Sequence, residues 1–159
     1  MRETETLLQS ERKAILALCF VYGLRMLGLF FIMPVIVYDL QDNDPLNVGL
    51  KAGFVIGAYG ITQAIFQIPF GMLSDRVGRK KIIAIGLVLF TLGSCIAALA
   101  ENVYWLIIGR AIQGCGAIAS TLLALVSDLT RVEQRTKSMA LIGVAIASSF
   151  GLALLIGPI

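Results

Sequence analysis

Long apolar runs constrain this chain more than any other feature. They lie near residues 14–38, 48–70, 82–100, 103–127 and 138–159, with short polar segments between them. A run of about twenty apolar residues crosses a hydrocarbon core of about 30 Å as a helix, because a helix satisfies every backbone N–H and C=O within its own segment. The fold class that follows is an all-α membrane protein with about five transmembrane helices. Composition agrees: 58% of residues are hydrophobic and 14% charged, too apolar for a soluble domain of ordinary surface. The first run is long and lacks a small-residue cleavage site, which reads as a retained span rather than a cleaved leader.

The cations set an expected orientation. Arg2, Arg12 and Lys13 precede the first run; Arg76, Arg79, Lys80 and Lys81 separate the second from the third; Arg131, Arg135 and Lys137 separate the fourth from the fifth. The alternate loops carry Asp39, Asp42, Asp44 and Glu101, with Lys51 the nearby cation. Basic residues collect on the cytoplasmic side, so the N-terminus is expected inside. The small positive balance fits anchoring to an anionic leaflet, with membrane lipids as partners, and no nucleic-acid face is expected. The segments expected are a cytoplasmic piece over 1–13 and an incomplete N-terminal transmembrane bundle over 14–159. An odd number of spans stopping at Gly157-Pro158-Ile159 gives the expectation of a truncated bundle.

Several functions are disfavoured by residue type. The chain has no histidine, and Cys19, Cys95 and Cys115 fall separately within apolar runs, so neither a metal site nor a disulfide is expected. Nothing calls for a cofactor, and no nucleophile or acid–base pair at mid-membrane suggests an enzyme. Small residues recur at four-residue steps at Gly49, Gly53 and Gly57, and again at Gly143, Ala147 and Gly151. Each stripe is a candidate seam for close helix packing.

Between the second and third runs lies Gly71-Met-Leu-Ser-Asp75-Arg76-Val-Gly78-Arg79-Lys80-Lys81. It combines flexible glycines, a carboxylate and a guanidinium in one tight reversal. The turn resembles the signature G-x-x-x-D-R-x-G-R-K/R found between the second and third helices of the major facilitator superfamily, and every defining position matches. A second resemblance lies in the fourth run, where Leu106, Arg110, Gln113, Gly114, Gly116 and Ala117 follow the family pattern and Ile118 departs from its closing alanine. A guanidinium at membrane depth persists only where it meets a wet cavity or a buried partner, and Arg110 and Gln113 lie three apart on one helical face. In the first run Leu27, Gly28, Pro34 and Val35 resemble an antiporter element whose last proline is replaced by Val37. The Gly157-Pro158 pair resembles another antiporter element, with Ala153 in place of its first glycine.

Arg25 with Tyr22, and the polar stripe Tyr59, Gln63 and Gln67 in the second run, are further candidates for lining a substrate or proton path. The stripe equally suits hydrogen bonding to a neighbouring helix. The run from Tyr59 to Lys81, with Leu125 to Arg131, is similar to the YajR-type bacterial inner-membrane transporters. That resemblance implies the start of a twelve-helix fold built from two six-helix halves, the C-terminal half being a missing partner. It implies secondary active transport of a small molecule by alternating access, as proton-coupled efflux or antiport, in a bacterial inner membrane. It also implies a cytoplasmic latch of Gly71, Asp75, Arg76, Gly78, Arg79 and Asp128, in which Arg79 pairs with Asp128 and Asp75 approaches a helix N-terminus of the other half. The other reading left open is a non-transporting membrane fragment or assembly protein that retains only the family's packing.

Overall fold

The computed structural model describes residues 9–43 and 46–156; the side chains of Ser10 and of residues 32–43 lie outside that description. Its elements are α1 (Gln9–Asn43), α2 (Val48–Val77), α3 (Arg79–Ala98), α4 (Val103–Cys115), α5 (Ala119–Leu129), a 3-10 turn (Val132–Gln134) and α6 (Arg135–Ile156). Among the described residues five segments are long and apolar enough to cross a membrane: Glu11–Phe31, Val48–Val77, Arg79–Ala98, Val103–Leu129 and Val132–Ile156. Helix α1 starts before residue 14, so part of the expected N-terminal segment is already helical. Gly157 and Pro158 lie outside the described residues.

Local chemistry places the ends. Gly78 adopts φ +109°, a conformation that a side chain resists, and it separates α2 from α3. Asn102 begins α4, its Oδ1 accepting the Trp105 backbone N–H at 3.1 Å.

The fourth span differs from its expected continuous helix. Gly116 N–H closes a tighter turn onto the Gln113 carbonyl at 3.1 Å, and helical bonding resumes with Leu122 N–H to the Ile118 carbonyl at 2.8 Å. Residues 116–118 are therefore non-helical. Two glycines weaken the helix here, at Gly114 and Gly116, and tertiary contact completes the break. The Ile118 side chain lies against Gly86, where any Cβ would overlap it. The side chain at the position that departs from the family alanine thus fills a groove on α3. This span is also the most buried: 61% of its most apolar window is buried, against 28% or less in the others. The other spans expose large apolar side chains such as Phe20, Ile65, Val88 and Leu155, as lipid-facing surfaces do.

Contacts divide the chain into two compact units at Asp39/Leu40 and Leu122/Leu123. In the inner-sequence unit, α3 and α4 meet backbone to backbone. A methyl on Gly93 would sit 2.7 Å from the Gly109 carbonyl oxygen, and one on Gly109 would sit 2.7 Å from the Ala97 nitrogen. Gly116 packs against Gly86 in the same antiparallel register. On its other side α4 meets α2, where Gly114 faces Thr62 and the Tyr59 carbonyl. Packing at such distances holds helices together where hydrophobic exclusion from water is absent.

In the unit formed by the two ends of the chain, Phe30 and Phe150 meet edge-to-face with centroids 4.8 Å apart. A methyl on Gly23 would lie 3.1 Å from the Ser149 hydroxyl.

The glycine stripes expected to be seams are not used between described residues. Around Gly49, Gly53 and Gly57, and around Gly143 and Gly151, no described atom lies within 4 Å of an added Cβ. The first stripe instead forms an open apolar groove of about 490 Å³, lined also by Leu50, Phe54 and Ile107. The glycines that do carry packing are Gly86, Gly93, Gly109, Gly114 and Gly116.

Candidate functional site

The largest fully buried side chain in the inner-sequence unit, among the described residues, is Arg110 on α4, in an apolar span. Three residues on, Gln113 is also buried, and its Oε1 accepts the Arg110 Nη1–H at 2.8 Å. Gln113 Nε2 donates to the Ser94 hydroxyl of α3 at 2.6 Å, and Ser94 Oγ donates to the Phe90 carbonyl at 2.8 Å. From the α2 side, the Tyr59 ring lies under the guanidinium, 4.9 Å from Cζ to the ring centroid. Three helices thus converge on one cation, and their close approach depends on Gly93, Gly109 and Gly114.

Burying a guanidinium is costly unless its donors and charge are met. The Tyr59 face contributes about 1–2 kcal/mol when desolvated, and the Gln113 bond contributes about 1.5–3 kcal/mol as a bond to a charged group. Arg110 Nε and Nη2 are buried and have no hydrogen-bond partner among the described residues. These two N–H groups form one edge of the guanidinium fork, the edge that suits two oxygens of a carboxylate or similar oxyanion. Arg131 uses that edge fully: its Nε meets Glu11 Oε1 at 3.1 Å and its Nη2 meets Oε2 at 3.3 Å. The backbone N–H of Arg131 adds a bond to Oε1 at 3.1 Å. This pair ties the start of α1 to the segment after α5, and the charge pattern alone did not single it out.

The candidate path residues fall into two sets. Tyr59, Arg110 and Gln113 meet, while Gln63 and Gln67 continue down α2 half-buried; Ser120 donates to the Gln67 carbonyl at 3.2 Å. Tyr22 and Arg25 are buried in the other unit.

At the turn between α2 and α3, Arg79 Nη1 pairs with Asp75 Oδ1 at 2.8 Å and donates to Ser74 Oγ at 3.1 Å. Ser74 is buried and donates to the Gly71 carbonyl at 2.6 Å, so the arginine is held against the end of α2. Gly71 itself is in ordinary contact with Ser120, where a methyl would lie 3.4 Å from the hydroxyl. Asp75 and Arg76 are exposed, and Asp128 is exposed near the end of α5 in the other unit.

Sequence reasoning missed Ser94, Gly86, Gly93 and Gly109. A signal existed: Gly86 and Gly93 on α3, and Gly109 and Gly116 on α4, repeat the same seven-residue step, as facing seams of two antiparallel helices would.

Residues 18–159 match the family model described as Major Facilitator Superfamily. The chain is 50% identical over 152 residues to the inner membrane transport protein YajR of Escherichia coli, covering 94% of this chain and 33% of that protein. It is 49% identical to a transporter of Buchnera aphidicola from Schizaphis graminum, covering 94% of this chain and 38% of the other. With the quinolone resistance protein NorA of Staphylococcus aureus it shares 31% identity over 92% of this chain and 37% of that protein. The chain therefore spans about a third of the length of these relatives.

Proposed function

This chain belongs to the major facilitator superfamily, and we propose that it forms the opening part of a secondary active transporter that moves a small molecule across a bacterial inner membrane by alternating access. The observation that carries this reading is Arg110: a fully buried guanidinium inside an apolar span, held over Tyr59 and by Gln113, with one fork edge unpartnered among the described residues. A chain that only packed in the membrane would need the α3–α4 glycine seam and would gain nothing from a charge at its centre.

In this reading the N-terminal segment over 1–13 and the α2–α3 turn are cytoplasmic, and residues 14–159 are the first helices of a longer bundle. The rocking partner is the rest of the full-length protein. Arg110 and Gln113, with Tyr59, Gln63 and Gln67, line the path on this side, and Tyr22 and Arg25 line it from the first helix. Asp75, Arg79 and Asp128, framed by Gly71, Arg76 and Gly78, act as a cytoplasmic latch. Arg79 pairs with Asp128, and Asp75 approaches a helix N-terminus of the other half, as the inner side closes, which makes the turn part of the conformational equilibrium. Protons are the proposed coupling ion. The efflux direction rests on likeness to the quinolone resistance protein, whose substrate class supplies the first probe.

The test is flux in everted membrane vesicles containing the full-length protein. Accumulation of a fluorescent quinolone or another lipophilic drug on energisation, and its collapse on adding an uncoupler, is the expected result. Accumulation that ignores the uncoupler rejects proton coupling, and failure across a broad panel of small molecules rejects transport itself.

A further inference from the structure

We propose that Ser94 is a positioning residue for Arg110: its half-buried hydroxyl fixes the direction of a hydrogen-bond chain that holds the buried guanidinium in one orientation. The proposal deepens the reading of Arg110 as the functional cation and adds a residue on a different helix.

The direction of the chain follows from donor and acceptor chemistry. An arginine has donors and no acceptor, so the Gln113 atom 2.8 Å from Nη1 must be the carbonyl Oε1. The amide is then committed, and Nε2 must find an acceptor in a site where Gln113 is 1% exposed. Ser94 Oγ, at 2.6 Å, is that acceptor. Its own proton goes the other way, to the Phe90 carbonyl at 2.8 Å. Every link runs from Arg110 toward the α3 backbone, and none can reverse without leaving a buried donor facing a donor.

The backbone supports this assignment. Gly93 stands beside Ser94 and faces the Gly109 carbonyl, where an added methyl would lie only 2.7 Å away. The helices can therefore approach closely enough for a short side chain to reach Gln113. With Nη1 engaged on the Gln113 side and the Tyr59 ring beneath the guanidinium, rotation of the guanidinium is restricted and its Nε/Nη2 edge keeps one direction. Without the Ser94 acceptor, the Gln113 amide N–H on the α3 side is left unmet, and the arginine-accepting orientation keeps only one of its two anchors.

The experiment uses the full-length protein in lipid nanodiscs with ¹⁵N-labelled arginine. The Arg110 side-chain signals are identified by their loss in Arg110→Lys. Ser94→Cys keeps the size and offers a poor acceptor, while Ser94→Thr keeps the hydroxyl. Rotation about the Arg110 Nε–Cζ bond is expected to speed up about tenfold in Ser94→Cys, as loss of the neutral Gln113–Ser94 hydrogen bond loosens the carbonyl that holds Nη1, and to stay near the parent rate in Ser94→Thr. Parent behaviour in Ser94→Cys overturns the proposal. Equal acceleration in both variants also overturns it, because packing rather than the acceptor would then be responsible. If Arg110→Lys retains full flux while the Ser94→Cys signature appears, the transport role of Arg110 fails and the positioning chain stands.

Discussion

Replacing Gly93 with alanine tests which glycines hold this bundle together. The new methyl would lie 2.7 Å from the Gly109 carbonyl oxygen and 2.8 Å from Gln113 Cγ, and closer still to the Gln113 nitrogen. Two of these are backbone atoms of a buried helix, so α3 and α4 must separate. Overpacking by one carbon costs about 1–3 kcal/mol, and separation weakens the Ser94–Gln113 hydrogen bond by about another 1 kcal/mol. Alanine returns about 1 kcal/mol of helix propensity. The net expectation is a loss of about 1–3 kcal/mol. Gly53→Ala makes the contrast: no described atom lies within 4 Å of the new methyl, so the propensity gain stands alone. Reversible unfolding of this chain in mixed micelles, titrated with SDS, compares the two. Equal effects, or a more damaging Gly53→Ala, would refute the assignment of the seam to α3 and α4.

Three further outcomes follow from the geometry. Glu11→Gln removes the charge that meets three donors of Arg131, and with Arg131 about one-third exposed the same micelle titration should register a loss of about 1–3 kcal/mol, partly recovered in Glu11→Gln with Arg131→Met. Cysteines at exposed Lys80 and Glu101 should react with an impermeant thiol reagent from opposite membrane faces in a background lacking the native cysteines; labelling from one face would reject the orientation. In the full-length protein, Arg79→Ala and Asp128→Asn should be non-additive in their effect on accessibility of the cytoplasmic cavity, and simple additivity would reject the pairing.

The spans were legible because about twenty apolar residues have few alternatives to a membrane helix. The Arg110–Gln113 pair was legible too, since three residues apart on a helix is one face whatever surrounds it. Glycine spacing alone did not locate the packing seen among the described residues. A four-residue stripe such as Gly49, Gly53 and Gly57 reports that a groove exists, and a lipid chain or another helix fills a groove equally well. The seam actually used is a longer repeat distributed over two helices, and it becomes visible only once their register is known. The break at Gly116–Ile118 was hidden for a related reason, because two glycines weaken a helix without deciding where it opens. Ile118 seated on Gly86 decides it. Ser94 carries no sequence signal of its own, since serine is common in membrane helices and its role depends on Gln113 from a different helix.

Arg110 offers the most direct test of the account, through energised flux of the full-length protein in everted vesicles, using whichever substrate the drug panel identifies. Arg110→Gln removes the charge and the fork, whereas Arg110→Lys keeps the charge without the fork. The account predicts that Arg110→Gln abolishes flux and that Arg110→Lys restores only a small part of it, with membrane insertion unchanged in both. Flux at the parent rate in Arg110→Gln would contradict it.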